Sequence, residues 1–463
     1  MTGDDEAGAA GGWLASLRGR VPPILLRPLA GQAGVTVLGQ VAATLIGLFT
    51  NVLCARVLGP VAFGTAALLL SFPTLVWSIA AVKSLSVTTR YLASFRATER
   101  YDEFRGICKL GYLVDLAVAL IAFAVIAGTG WWVVPRLLGL QGAGWLLVLY
   151  AASYPFHSLV GTSAAVFGTW GRFRTLAALQ VAQKALILAF TGGLLWAGAG
   201  WHAIVLGTAA GQALYGLLMV AMAARLLRRE RVGAWWSARM GAVAALRGEI
   251  ASFFGWNYLY VTSSGVLQQA PLMLLGRLAG VEAAGYYRLA ISMVTAASYL
   301  ETALARVTYP LLAARWETHD RSRIRANLQR WSLRAGAPAA AVLLLGIPVL
   351  PFAVSVLLDA RYAPMVPGAQ LMLVGAAASV AFFWMQPFYY SAGYVADWVK
   401  GFIGWMLVVV VAGYVAVTAW GYLGMSAVSA LGEVGLTLSM AYVLHRKAGR
   451  LWDAAPAPAP PGP

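Results

Sequence analysis

Lys184 is the residue whose position most needs explaining. It falls about ten residues into an apolar run, 175–199, which at ~1.5 Å per residue is about 15 Å along a helix axis. A charge at the centre of a bilayer costs about 2.5–3.5 kcal/mol on insertion scales. At that depth the side chain cannot easily snorkel to water. Gln180 and Gln183 share its helical face. Two chemistries fit: a cationic cavity that attracts a pyrophosphate or an acidic sugar, or a buried pair with an acid such as Asp115 or Glu433. Arg288, nearly two turns inside the outer end of another run, is either a second anion contact or a side chain reaching outward to water. Arg56 and Arg277, at outward ends of runs, would meet either an anionic product at release or lipid headgroups.

Polar residues recur at helical spacing inside other apolar runs. Gln32, Thr36, Gln40 and Thr44 repeat every fourth position, with Asn51 two turns further on. Asn257, Ser264 and Gln268 form a comparable face. Such stripes do not face lipid, so they line a hydrophilic cavity or hydrogen-bond between helices. Lys83 and Glu301, near the inner ends of equivalent helices, would either close an inner gate or reach water. Asp115, Glu433 and His157, which lies beside Pro155, are candidates for coupling to a proton or sodium ion; the sequence does not choose among them.

Chemistry of other kinds lacks its motifs. No GxxxxGK[ST] phosphate loop is present, so ATP-driven transport by this chain alone is not expected. No metal-ligand spacing occurs, and no cofactor is expected. A membrane glycosyltransferase, polymerase or ligase needs converging acids, His or Arg in a substantial loop. The outward loops are too short and too poor in such groups. Cys54 and Cys108 fall at opposite ends of their helices, so a disulfide between them is not expected.

The elements that position these residues follow from composition. Of 463 residues, 60% are hydrophobic and 11% charged, against roughly 25% charged in soluble domains. The charges crowd between apolar runs of about 20 residues, the length needed to cross a hydrocarbon core of about 30 Å. The fold class is therefore all-α and polytopic, with about twelve transmembrane helices. Expected spans are 31–54, 61–87, 107–130, 144–168, 175–199 and 202–224, then 251–275, 283–307, 333–357, 366–392, 398–420 and 422–445. Kinks are expected at Pro73, Pro155, Pro271, Pro348 and Pro387. The +17 net charge sits in loops on one side, which places both termini in the cytoplasm and argues against nucleic acid. The opening segment, 1–30, does not read as a cleavable secretory signal. Two six-helix lobes, 31–224 and 251–445, flank a cytoplasmic linker at 225–250, and 446–463 reads as a disordered cytoplasmic tail.

The halves echo each other. ARVLGPVAFGTAALLLS (55–71) resembles GRLAGVEAAGYYRLAIS (276–292) at an offset of 221 residues, pairing Arg56 with Arg277, Gly59 with Gly280, Gly64 with Gly285 and Ser71 with Ser292. With six helices per half, the copies share one orientation, giving a parallel repeat. Transporters built this way hold substrate between their halves.

NVLCARVLGPVAFGTAALLLS, AAVFGTWGRFRTLAALQVAQ, WGYLGMSAVSALGEVG and RVTYPLLAARWETHDRSRIR, with the repeat copy, resemble the polysaccharide (O-antigen type) flippases of the MATE-like multidrug/oligosaccharidyl-lipid/polysaccharide exporter superfamily. The resemblance covers most of residues 30–445. It implies two lobes around a central cavity. It also implies transfer of a polyprenyl-pyrophosphate-linked oligosaccharide from the cytoplasmic to the outer leaflet of a bacterial inner membrane. Membrane lipids, a coupling proton or sodium, and a glycan polymerase or ligase are the partners implied. Multidrug-extruding relatives share the plan but often rely on an acid in the first helix, and the first helix here has none. A multidrug or small-solute exporter stands as the alternative, and a glycan polymerase or glycosyltransferase as the second.

Overall fold

The computed structural model describes residues 32–80, 84–136, 138–238, 255–317 and 321–447. Among them the regular structure is helical, with no strand. Seven of the described helices are long and apolar enough to cross a membrane. Two of these, Gln32–Ala80 and Val395–Arg446, contain 49 and 52 residues. At ~1.5 Å per residue each is over twice the ~30 Å hydrocarbon core. Each breaks at a glycine in a conformation that L side chains rarely adopt: Gly59 at φ 77° and Gly421 at φ 53°. Pro60 follows Gly59 and starts the next helix with a residue that needs no amide donor.

Twelve spans result. Spans 1 and 2 are 32–58 and 60–80; span 3 is Tyr101–Arg136, span 5 Phe173–Trp196 and span 6 His202–Arg229. Spans 7 and 8 are Gly255–Leu278 and Val281–Glu317, and span 9 is Ala337–Leu357. Spans 11 and 12 are 395–420 and 422–446. Spans 4 and 10 are discontinuous. Span 4 comprises Gly144–Ala151, Tyr154–Ser158 and Val160–Thr169, whereas span 10 comprises Val366–Ala381 and Met385–Ser391. They are the fourth helices of their respective halves, so the interruption repeats with the fold. The breaks immediately precede Pro155 and Pro387; Pro73, Pro271 and Pro348 instead sit inside helices that run on. Spans 3 and 8 also outrun the expected 107–130 and 283–307, because Ala, Leu and Arg sustain a helix beyond the apolar stretch.

The two halves meet through the repeat itself. Gly59 and its counterpart Gly280 (φ 91°) both turn the chain between the first two spans of their halves. Five residues on, Gly64 and Gly285 lie against each other. A Cβ on Gly64 would fall 2.8 Å from the Gly285 amide nitrogen, and one on Gly285 would fall 2.3 Å from the Pro60 carbonyl oxygen. The crossing therefore packs backbone on backbone, as small residues permit within membranes. Nearby, the Tyr362 hydroxyl donates to the Ala55 carbonyl at 3.1 Å, and the second lobe's core takes in Cys54, Ala55, Phe63 and Ala67 from spans 1 and 2. This is the Gly59 end of the bundle. The short helix Ala360–Met365 covers it, capped by Asp359, which accepts the Arg361 amide and guanidinium, both at 3.1 Å. The Arg361 amide and then its side chain hold the Asp359 carboxyl below the usual carboxylate range.

The opposite end is basic. Arg96, Arg100, Arg105, Lys109, Arg172, Arg228, Arg315, Arg330, Lys400 and Arg446 lie at helix ends there, whereas the Gly59 end carries Arg56, Arg136, Arg277 and Arg361. At the basic end Arg100 donates to Glu103 at 2.8 and 3.0 Å.

The glycine crossing is directly testable. Gly285→Val should lower the thermal midpoint of the purified protein by about 5 °C, the response of a tightly packed site to an added side chain. Gly128→Val, where nothing lies within 4 Å of the added Cβ, should move it by no more than about a degree.

Candidate functional site

Among the described residues two chambers open inside the bundle, one in each lobe, and Arg288 of span 8 stands in the wall of both. The first holds about 310 Å³ and is formed mainly by spans 1, 2, 4, 5 and 6. Lys184 enters it from the middle of span 5. Its stem passes Gly47 of span 1, where a Cβ would lie 3.9 Å from Lys184 Cδ. Arg288 and the buried Gln269 come from the second lobe to complete the wall. Among the described residues no carboxylate lies within ion-pair distance of Lys184 or Arg288; the ion pairs that do form are at helix ends and in loops. Two cations thus face one chamber without a counter-charge.

The break in span 4 shapes this chamber. Tyr150, Tyr154 and His157 project into it from either side of the interruption. Gln212 of span 6 holds the break in place, donating to the Tyr150 hydroxyl at 3.4 Å and facing Ser153 Oγ at 3.5 Å. His157 Nδ1 and Thr191 Oγ1 are buried with no hydrogen-bond partner. In a membrane, irregular backbone is tolerated where it lines a cavity, because freed amides and carbonyls need partners there.

The second chamber, about 400 Å³, reaches from mid-bundle toward the basic end and has the opposite character. Glu301 of span 8 and Glu433 of span 12 face it, with Ser379 donating to Glu301 at 3.0 Å. Glu433 keeps accessible surface although it lies eleven residues into span 12. Tyr260, Phe382, Trp398, Phe402 and Trp405 supply aromatic walls. The break in span 10 lies here, between Phe382 and Met385, as the break in span 4 lies in the first chamber.

The remaining sequence candidates distribute as follows. Asn51 lines the first chamber and donates to Ser292 of the other lobe at 3.0 Å. Gln40 bonds Tyr299 across the lobes at 3.4 Å, and Thr44 donates to the Gln40 carbonyl. Thr36, Gln40 and Thr44 line neither chamber, so the upper part of that stripe follows the seam between spans 1 and 8. Ser264 and Gln268 line the second chamber. Gln180 and Gln183 line neither, and the Gln180 carbonyl oxygen is buried without a partner. Arg56 and Arg277 are exposed at the Gly59 end, apart from Lys184, because the repeat turn carries them outside the bundle. Asp115 is buried inside the first lobe, accepting from Thr162 at 2.7 Å, away from both chambers and from Lys184. Lys83 and the side chains of Gln32 and Asn257 lie outside the described residues. Cys54 and Cys108 are both free and buried.

Sequence reasoning passed over the aromatic walls and the Tyr150–Gln212 pair. Aromatic residues in apolar runs read as ordinary packing. The available signal was Pro155 and Pro387, one in the fourth helix of each half.

The fold matches solved structures of transporters at low identity. A multidrug resistance MATE family transporter of the MOP superfamily, in its inward-facing conformation, aligns with a TM-score of 0.75 and 12% identity over 89% of this chain and 96% of that one. The lipid II flippase MurJ, inward closed, aligns at 0.67 and 14% over 88% and 87%. An outward-facing MATE transporter aligns at 0.62 and 12% over 96% and 99%. No curated protein matches the chain significantly. The family model described as polysaccharide biosynthesis protein matches residues 29–316, more than half of the sequence. With its two-lobed helical bundle and paired internal chambers, this chain is a membrane protein of the polysaccharide biosynthesis protein family.

Proposed function

We propose that this protein is a flippase that carries a polyprenyl-diphosphate-linked oligosaccharide across the bacterial cytoplasmic membrane. The observation that carries this reading is the pair of uncompensated cations, Lys184 and Arg288, in one internal chamber. Two cations that lack a carboxylate are stabilised by an anion that the protein does not itself provide. A diphosphate supplies adjacent negative charges and strong acceptors for both. The Arg guanidinium comes from one lobe and the Lys ammonium from the other, so a bound diphosphate would bridge the lobes. The basic end is the cytoplasmic end by the positive-inside rule, with both termini there. Contacts at the Gly59 end, such as Tyr362 to the Ala55 carbonyl, would then hold an inward-oriented state that takes substrate from the cytoplasmic leaflet. Transport is a rocking of the two lobes with no covalent step. A coupling proton or sodium would act at Glu301, Glu433 or His157, which face a chamber, rather than at Asp115.

The second reading is a multidrug exporter of the same fold. The acidic, aromatic second chamber favours it, because carboxylates and aromatic faces attract organic cations. Lys184 and Arg288 oppose it by repelling such a ligand from the adjoining space.

In proteoliposomes, fluorescent polyprenyl-diphosphate glycan should cross the bilayer with wild-type protein. Lys184→Ala and Arg288→Ala should each slow it by about tenfold or more, the loss of one charge-assisted contact. Depletion in cells should trap the intact lipid-linked glycan on the cytoplasmic leaflet. Unchanged sidedness with heightened sensitivity to toxic organic cations would establish the exporter instead.

Rocking also has a native reporter. Cys54 lines the first chamber behind the closed Gly59 end, where Tyr362 bonds the Ala55 carbonyl. In a Cys108→Ser background, Tyr362→Phe should raise labelling of Cys54 by an external, impermeant maleimide about fivefold. That is the population shift for ~1 kcal/mol of lost hydrogen bonding. Equal labelling rates would remove this contact from the gate.

A further inference from the structure

The second chamber poses the inverse problem of the first. The Glu433 backbone carbonyl accepts from Thr437 at 2.9 Å, but its carboxylate has no hydrogen bond among the described residues, and the absence of a side chain at Gly375 leaves it room: a Cβ there would lie 3.1 Å from Glu433 Oε2. Glu301 accepts from Ser379 and, among the described residues, meets no Lys or Arg within ion-pair distance. Their free oxygens require donors. The walls beside them are aromatic and held in fixed orientations. Trp405 donates to Ser439 at 3.0 Å, and Tyr260 packs edge-on against Phe402 with centroids 4.9 Å apart. The indole N–H of Trp398, a residue 8% exposed, is buried with no acceptor. Gln268 and Ser264 add amide and hydroxyl groups on one helical face.

This assembly has the complementarity of a carbohydrate. Sugar hydroxyls donate to carboxylates, ring and hydroxyl oxygens accept from an indole or amide, and the C–H faces of a pyranose lie on aromatic rings. The volume, about 400 Å³, lies within the roughly 300–1,000 Å³ usual for ligand pockets. Arg288 in the shared wall makes the two chambers neighbours, as a diphosphate and the sugar attached to it are neighbours.

We propose that the second-lobe chamber binds the carbohydrate part of the head group and selects neutral or amino sugars against acidic ones. This rests on the reading above that the first chamber holds the diphosphate. The ligand is then dipolar in its demands: anionic where it meets Lys184 and Arg288, and rich in donors or cationic where it meets Glu301 and Glu433. A uronic acid in the second chamber would set carboxylate against carboxylate in a site with little bulk water. A free amine there would gain a charge-assisted hydrogen bond.

The test is equilibrium binding to the purified full-length protein in detergent, with no ion gradient. Farnesyl diphosphate alone is compared with farnesyl-diphosphate-linked galactose, galactosamine bearing a free amine, and galacturonic acid. The wild type should bind galactosamine most tightly, and galacturonic acid about tenfold or more weaker than galactose. Glu433→Gln and Glu301→Gln should compress that ranking by raising affinity for the uronate and lowering it for the amine. Both should leave binding of farnesyl diphosphate alone unchanged. Lys184→Ala should weaken all four. A wild-type ranking indifferent to sugar charge would overturn the proposal, as would variants that change all four ligands equally in a sodium- or pH-dependent manner. The latter pattern would mark the carboxylates as an ion site. Failure of farnesyl diphosphate to bind at all would instead sink the diphosphate reading of the first chamber.

Discussion

A charged group inside a bilayer must be paired, wetted or moved to the surface, and among the described residues Lys184 and Arg288 have no ion-pair partner. That constraint organises the bundle. Lys184 sits too deep in span 5 to reach either surface, so its surroundings must hold water or a polar ligand. The polar lining follows: Asn51 of span 1 and Thr208 and Gln212 of span 6 come to the same space. The interruption of span 4 follows too. A continuous helix would present one narrow face to the chamber, whereas the break brings Tyr150, Tyr154 and His157 in together. The carbonyls and amides released by the break lie where polar partners exist, which lipid would not supply.

The repeat solves a second problem, that of joining two such lobes without a bulky interface. Gly64 and Gly285 are equivalent positions in their halves and meet each other. Contact between equivalent residues is what a pseudo-two-fold axis passing between them requires. Backbone meets backbone at the crossing itself, while Cys54, Phe63 and Ala67 of spans 1 and 2 pack into the second lobe's core beside it. The hydrogen bonds flanking it, Tyr362 to Ala55 and Asn51 to Ser292, are few and individually worth about 1 kcal/mol.

How far the sequence reveals this depends on the kind of signal. Span number and the parallel repeat were legible because hydropathy and glycine placement are local. Gly59 and Gly280 need positive φ, and no other residue supplies it as cheaply. The depth of Lys184 was legible because it is a count along one helix. Facing was less so. Four-residue spacing shows that Gln40 and Asn51 share a stripe. It cannot show that the stripe runs along a seam for part of its length and opens into a chamber only at Asn51. Arg56 and Arg277 matched across the repeat, yet a residue three positions before a turning glycine is carried to the outside of the bundle. The pairing of Asp115 with Thr162 rather than Lys184 depends on three helices packing together, which no single stretch of sequence encodes.

The least legible property is the one with most consequence for function: the partition of charge between lobes. Read along the chain, Lys184, Arg288, Glu301 and Glu433 form a balanced set that could cancel in two buried ion pairs. Folded, they do not cancel. The acids face a space that reaches toward the basic end, the cations a space nearer the Gly59 end, and Arg288 stands between. A protein that needed only stability would gain by bringing these charges together or replacing them with apolar residues. Keeping them apart costs desolvation on both sides, and a ligand that satisfies both chambers at once recovers it. An organic cation would satisfy only the acidic chamber and an inorganic anion only the basic one. In the proposed reading, a diphosphate joined to a polyhydroxylated head group would satisfy both chambers at once, and the polarity of the cavity would orient it along the transport axis.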